Sequence, residues 1–116
     1  MINTQSAVIA VPAAEATILE DRDSCTLQRT FVFRNLTASV LSLTIEYSDD
    51  GGTTWTEEVA AFNVVATAVV IQNVTRAYQL RVRGSGGGDD NDMHVSLIKV
   101  YDQNLAVAPV WIRPMI

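Results

Sequence analysis

Residues able to do chemistry are few in this chain. Cys25 and His94 occur once each. Cys25 has no partner for an intrachain disulfide and reads as a buried apolar thiol. With no second His and no neighbouring Cys, His94 gives little support to metal ligation or to a Ser–His–Asp arrangement. It reads as a strand residue that faces solvent or bonds a neighbour. Glu46, Glu57 and Glu58 have the residue type of a glycosidase acid pair, but charges on the outer face of a hairpin account for them. Arg81 and Arg83 share a face and have donors for a carboxylate or phosphate; a solvated face or a cross-strand ion pair is the simpler reading. The segment Gly84-Ser85-Gly86-Gly87-Gly88-Asp89-Asp90-Asn91-Asp92 clusters hard oxygen ligands. It lacks the ligand spacing and terminal Glu of an EF-hand. No Gly-Lys-Ser/Thr follows it, and its acids would repel phosphate. It reads as a solvated, flexible loop whose tip is available for contacts. No enzyme, metal site or cofactor is expected.

These side chains need a scaffold, and the composition bounds it. A chain of 116 residues is one domain's worth. Folding at that size buries about two-thirds of the extended surface, enough for a core without disulfides. Hydrophobic residues make up 48% and charged residues 18%, below the ~25% charged share usual for soluble domains. The surface is therefore plain and disorder is not expected. A net charge of −5 argues against a partner with a phosphate backbone. No apolar run approaches the ~20 residues of a membrane helix. The N-terminal stretch lacks a basic region and is interrupted by Pro12 and Glu15, so no secretory leader is expected.

Val, Thr and Ile supply 34 residues, and β-branched side chains favour the pleated surface. Period-2 alternation appears where strands need it. Leu41, Leu43, Ile45 and Tyr47 alternate with polar residues, and so do Tyr78, Leu80 and Val82, with Phe31 and Phe33 also facing inward. No window carries a helical stripe. Strands are expected near 6–11, 15–20, 26–35, 40–48, 53–59, 63–72, 76–84 and 92–101, separated by turn chemistry. Seven to eight short strands at this spacing predict an all-β, antiparallel immunoglobulin-like or fibronectin-III-like sandwich spanning about 5–102. The Cys…Trp…Cys spacing of antibody domains is absent, and a jelly roll or small barrel fits the same spacing.

Ser48-Asp49-Asp50-Gly51-Gly52-Thr53-Thr54-Trp55 marks a tight hairpin. Ser48 and Asp50 can bond turn backbone groups, Gly51 and Gly52 permit positive φ, and Trp55 packs back across the ribbon. The octapeptide resembles the Asp-box, S-x-D-x-G-x-T-W, of sialidases and related propellers. That resemblance assigns turn-locking roles to Ser48, Asp50, Gly52, Thr54 and Trp55. One box in one short chain cannot build a propeller.

Two segments stand apart from the sandwich pattern. The apolar N-terminal stretch to Glu20 reads as one or two edge strands. The tail 103–116 holds nine apolar residues besides its two prolines and a single charge. It reads as an extended arm, because proline supplies no ladder donor. Exposed on a monomer, Val110, Trp111, Ile112, Met115 and Ile116 would make the kind of patch that marks an interface. They are the candidate contact residues for a protein partner.

A small sandwich with an SDDGGTTW-type hairpin and apolar arms is similar to accessory proteins of tailed bacteriophage virions, of the capsid decoration (cement) type. The resemblance implies a structural protein of the virion, bound to capsid or sister subunits through arms and sheet edges. A tail or baseplate adaptor is physically close to that reading. A carbohydrate-binding module is the alternative of a different class, with Trp55, Tyr101 and Trp111 as its available aromatics.

Overall fold

The computed structural model describes residues 2–23, 26–75, 78–101 and 113–114, with 26, 27, 113 and 114 described by backbone alone. Cys25 lies outside the described residues. The strands are β1 (Ile2–Ile9), β2 (Ala16–Asp21), β3 (Thr26–Asn35), β4 (Leu41–Ser48), β5 (Thr56–Val64), β6 (Val69–Val74), β7 (Gln79–Ser85), β8 (Met93–Tyr101) and the two-residue β9 (Arg113–Pro114). They form two antiparallel sheets, I with order β1-β8-β3-β6 and II with order β5-β4-β7-β2-β9.

The all-β antiparallel sandwich is therefore what the chain forms. Its strand order is that of an eight-stranded jelly roll, not the immunoglobulin-like order. The pairs β4·β5, β3·β6, β2·β7 and β1·β8 nest as rungs of one long hairpin. The further ladders β3·β8 and β4·β7 roll that hairpin into two sheets. An immunoglobulin-like domain would keep its first two strands in one sheet; here β1 and β2 lie in different sheets. Strand spacing is common to both folds, and only long-range pairing separates them. The N-terminal stretch supplies two full members of the sandwich, and β9 adds to the β2 edge at Leu19 and Glu20.

Inward positions alternate along the strands, as the pleat requires. Phe31 and Phe33, Leu41, Leu43 and Ile45, Leu80 and Val82, and Met93, Val95 and Leu97 are all fully buried. The rings of Phe31 and Phe33 stack with centroids 5.6 Å apart, and Phe62 tilts onto Phe33 at 5.8 Å. Tyr78 departs from the inward expectation, whereas Tyr47 packs against the core. Tyr47 is half-buried and Tyr78 is 40% exposed. Both sit where the sheets end, and they lean on each other at 5.7 Å.

Connections 49–55 and 86–92 lie at opposite ends of the sandwich, because β4 and β7 run antiparallel with Ser48 beside Gln79 and Ser42 beside Ser85. The β7–β8 connection lies directly on the one between β1 and β2. Gly86 and Gly87 donate their N–H groups to the carbonyls of Ala13 and Pro12. A Cβ on Gly87 would stand 2.1 Å from the Val11 carbonyl oxygen, a backbone atom with nowhere to go. Gly87→Ala is expected to lower stability by about 1–3 kcal/mol through overpacking. Gly88→Ala, where a Cβ meets nothing closer than 3.7 Å, should be close to neutral; urea denaturation of the two variants checks this.

Candidate interaction surface

The two outer faces of the sandwich differ in chemistry. Register across sheet I places Val8, His94, Arg34 and Val69 in one row, and Ser6, Ser96, Val32 and Ile71 in the next. Thr4, Ile98, Thr30 and Asn73 form the third. Arg34 is the one formally charged residue in these rows. Val69 and Ile71 are 53% and 60% exposed, and Ile2 at the far corner 68%. Leu36, Val40 and Val65, also exposed, continue the apolar character into the β3–β4 and β5–β6 connections. Sheet II is charged on its outer face, and its two arginines there are ion-paired. Arg81 Nε donates to Glu46 at 2.7 Å and Arg83 Nε to Glu15 at 3.3 Å. Glu46 sits beside Glu57 on the β4–β5 ladder and is held by Arg81.

The β4–β5 turn is organised by Asp50. Its carboxylate accepts from the Thr53 N–H at 3.1 Å, from the Thr54 N–H at 2.9 Å and from the Thr54 hydroxyl. Ser48 Oγ donates to the same carboxylate at 2.7 Å and accepts the Gly52 N–H at 2.8 Å. Gly51 and Gly52 have φ of +76° and +93°, the region that glycine enters without a Cβ clash. Trp55 stands over Gly52, and the Arg81 guanidinium lies 4.4 Å from its ring centroid. Donation from the Thr54 hydroxyl and N–H, then from Ser48, holds the Asp50 carboxyl down at about 2.

The acidic connection 86–92 is solvated at 86 and 88–91, as the sequence suggests, but it is tied down at its end by Asp92. Asp92 is 5% exposed. Its carboxylate accepts the N–H groups of Val11 at 2.9 Å, Asp90 at 3.0 Å and Gly88 at 3.3 Å. Burial pushes its pKa up, but these backbone donors together outweigh burial and the net direction is down. The residue most suited to a cation is thus spent on closing its own loop against β1 and the segment after it. At the same end, Asn35 is buried and its Nδ2 donates to the carbonyls of Ser39 and Val64.

The interior contains a charge cluster that the sequence reading missed. Arg29 and Lys99 are register partners on the β3·β8 ladder, both inward and both fully buried. Asp21, from sheet II, reaches between them. Its Oδ2 accepts from Arg29 Nε and its Oδ1 from Lys99 Nζ, each at 2.6 Å. Asp23 Oδ2 lies 3.6 Å from Lys99 Nζ, and the Asp23 carbonyl accepts from Arg29 Nη2. Tyr101 closes the cluster; burial, and then its contact with Asp23, push its phenol well above the ordinary 10.0.

Of the expected contact residues, Val110, Trp111, Ile112, Met115 and Ile116 all lie outside the described residues. His94 is half-buried within the outer face of sheet I. The apolar outer positions of β6 were not singled out from the sequence, because Val69-Val70-Ile71 reads as a buried run until the strand is known to lie at an edge.

No protein-family model and no curated protein matches the chain. Solved structures share its architecture. A protein of the Bacillus endospore appendages, described as forming a family of disulfide-linked pili, superposes with a TM-score of 0.64 at 18% identity over 87% of each chain. The PBSX exported protein XepA gives 0.56 at 18% identity over 93% of this chain, which spans 40% of XepA. PirA gives 0.51 at 11% identity, over 87% of this chain and 93% of PirA. At these identities the likeness is one of fold.

The geometry makes two predictions. Asp50 is held at about 2 in the folded chain against an ordinary 3.8. Its contribution to stability is therefore present above pH 4 and lost as pH falls towards 2. An NMR titration of the Asp50 carboxyl should find that low midpoint, and Asp50→Asn should flatten the acid limb of the stability profile. Arg29→Leu removes the buried donor shared by Asp21 Oδ2 and the Asp23 carbonyl. It should cost about 3–5 kcal/mol by urea denaturation.

Proposed function

We propose that this protein is a non-enzymatic structural subunit that docks onto other protein subunits through the outer face of sheet I. The observation that carries the reading is the contrast between the two outer faces. Sheet II carries several charged side chains, of which Arg81 and Arg83 are ion-paired with Glu46 and Glu15. Sheet I presents valine, isoleucine, threonine and serine across four strands with Arg34 as the one formal charge in its mapped rows. Exposed apolar area of this kind marks interaction sites. The edges support the same reading. Among the described strands β6 is an edge of sheet I and carries the exposed Val69 and Ile71, and sheet edges can accept strands from other chains.

Within that class we favour a virion accessory protein of the capsid decoration type, located on the particle, with capsid or sister subunits as partners. The tail residues Val110, Trp111, Ile112, Met115 and Ile116 supply the second contact in this scheme. The backbone pairing of Arg113 and Pro114 with the β2 edge illustrates the strand-addition mode. Likeness to a protein of assembled appendages supports an assembly role. The glycan-binding alternative has less to stand on. Arg81 covers one face of Trp55, Tyr101 is 3% exposed, and Tyr47 and Tyr78 are tilted by 31° against each other.

Light scattering on the full chain should show concentration-dependent self-association. Ile71→Glu, an exposed outer-face change expected to alter stability by no more than about 0.5 kcal/mol, should shift the population to monomer. A chain ending at Asp102 separates the contribution of the tail. A full chain that stays monomeric at every concentration, indifferent to Ile71→Glu, overturns docking between sister subunits.

A further inference from the structure

We infer that Asp21 and Lys99 become joined by an intramolecular amide bond in the folded protein. The two side chains come from opposite sheets, are fully buried, and meet with Lys99 Nζ 2.6 Å from Asp21 Oδ1. The neighbouring groups stand where such a condensation needs them. Arg29 Nε holds the other oxygen, Oδ2, at 2.6 Å, and Asp23 Oδ2 lies 3.6 Å from the amine.

Taking two ions out of water is costly, and a neutral amine beside a neutral acid avoids part of that cost. Transfer of one proton from Nζ to Oδ1 produces that pair. The Nζ lone pair then attacks Cγ of Asp21, forming the C–N bond and placing negative charge on Oδ2. Arg29 is already aimed at that oxygen, as an oxyanion stabiliser must be. Asp23 takes a second proton from the nitrogen and delivers it to Oδ1. The Cγ–Oδ1 bond breaks and Oδ1 leaves as water, while Oδ2 becomes the amide carbonyl, still accepting from Arg29. Asp23 ends in the state in which it began. One carboxylate and one ammonium give one amide and one water, with no oxidant or co-reactant. Fixing amine and acid in contact makes the step unimolecular, a large advantage over the same groups free in solution.

The linkage would tie β2 of one sheet to β8 of the other and close a loop from residue 21 to residue 99. It is independent of the docking face. Intact-mass measurement of the purified full chain tests it. The expected mass, after allowing for any removal of Met1, is below the sequence mass by one water. Trypsin should fail to cut after Lys99 and should yield peptide 1–22 covalently joined to 84–116. Asp21→Asn should give the same joined peptide with loss of ammonia in place of water. Lys99→Arg should give the full sequence mass and separate peptides. A folded wild-type chain with the full sequence mass and cleavage after Lys99 overturns the inference, and the wild-type digest decides even where a variant fails to fold.

Discussion

Two cations placed side by side in a dry interior set the terms for the rest of this sandwich. Arg29 and Lys99 face each other across the β3·β8 ladder, where like charges repel and no water screens them. Sheet II must answer with an anion at that point, and Asp21 does so. How it gets there is a matter of backbone. Alternation along β2 from the buried Ile18 would turn Glu20 inward and Asp21 outward. The register shift between Thr17 and Leu19 reverses that phase, so that Ile18 and Leu19 are both buried and Asp21 follows them inside. A bulge that re-aims a side chain is a recurrent device in sheets. Here it fixes how one sheet sits over the other.

The nested topology distributes the remaining constraints. Among the described strands, the only connection between consecutive, paired strands is the β4–β5 turn, where the long hairpin folds back, and it holds itself with side-chain bonds from Ser48, Asp50 and Thr54. At the opposite end the chain crosses between sheets, and the Asp92 carboxylate gathers the backbone N–H groups that those crossings leave over. The apolar core lies between these two local structures, with the charge cluster set towards the turn end.

What could be read from the sequence follows the distance over which each feature is decided. The hairpin is local, and its octapeptide names its own hydrogen bonds. Inward facing of Phe31 and Phe33 is local too. The same alternation carried two residues back puts Arg29 inside, and carried on from Met93, Val95 and Leu97 it puts Lys99 inside. That signal was present and was overridden by the expectation that charged side chains stay wet. Asp21 was not legible at all, since the bulge that turns it inward leaves no mark in the pattern and the residue doubles as a turn former. The choice between jelly roll and immunoglobulin-like order was equally out of reach. It rests on β1 meeting β8, about ninety residues away, and the loop closure involved has no sequence signature.

The asymmetry of the outer faces has a geometric consequence. A body with one mostly apolar side and one charged side has a valence of one as far as the apolar side is concerned. Used between identical copies, such a contact is isologous and satisfied at two; used against a larger surface, it lays down a single layer and stops. Growth into a fibre or lattice would require a second, differently placed contact.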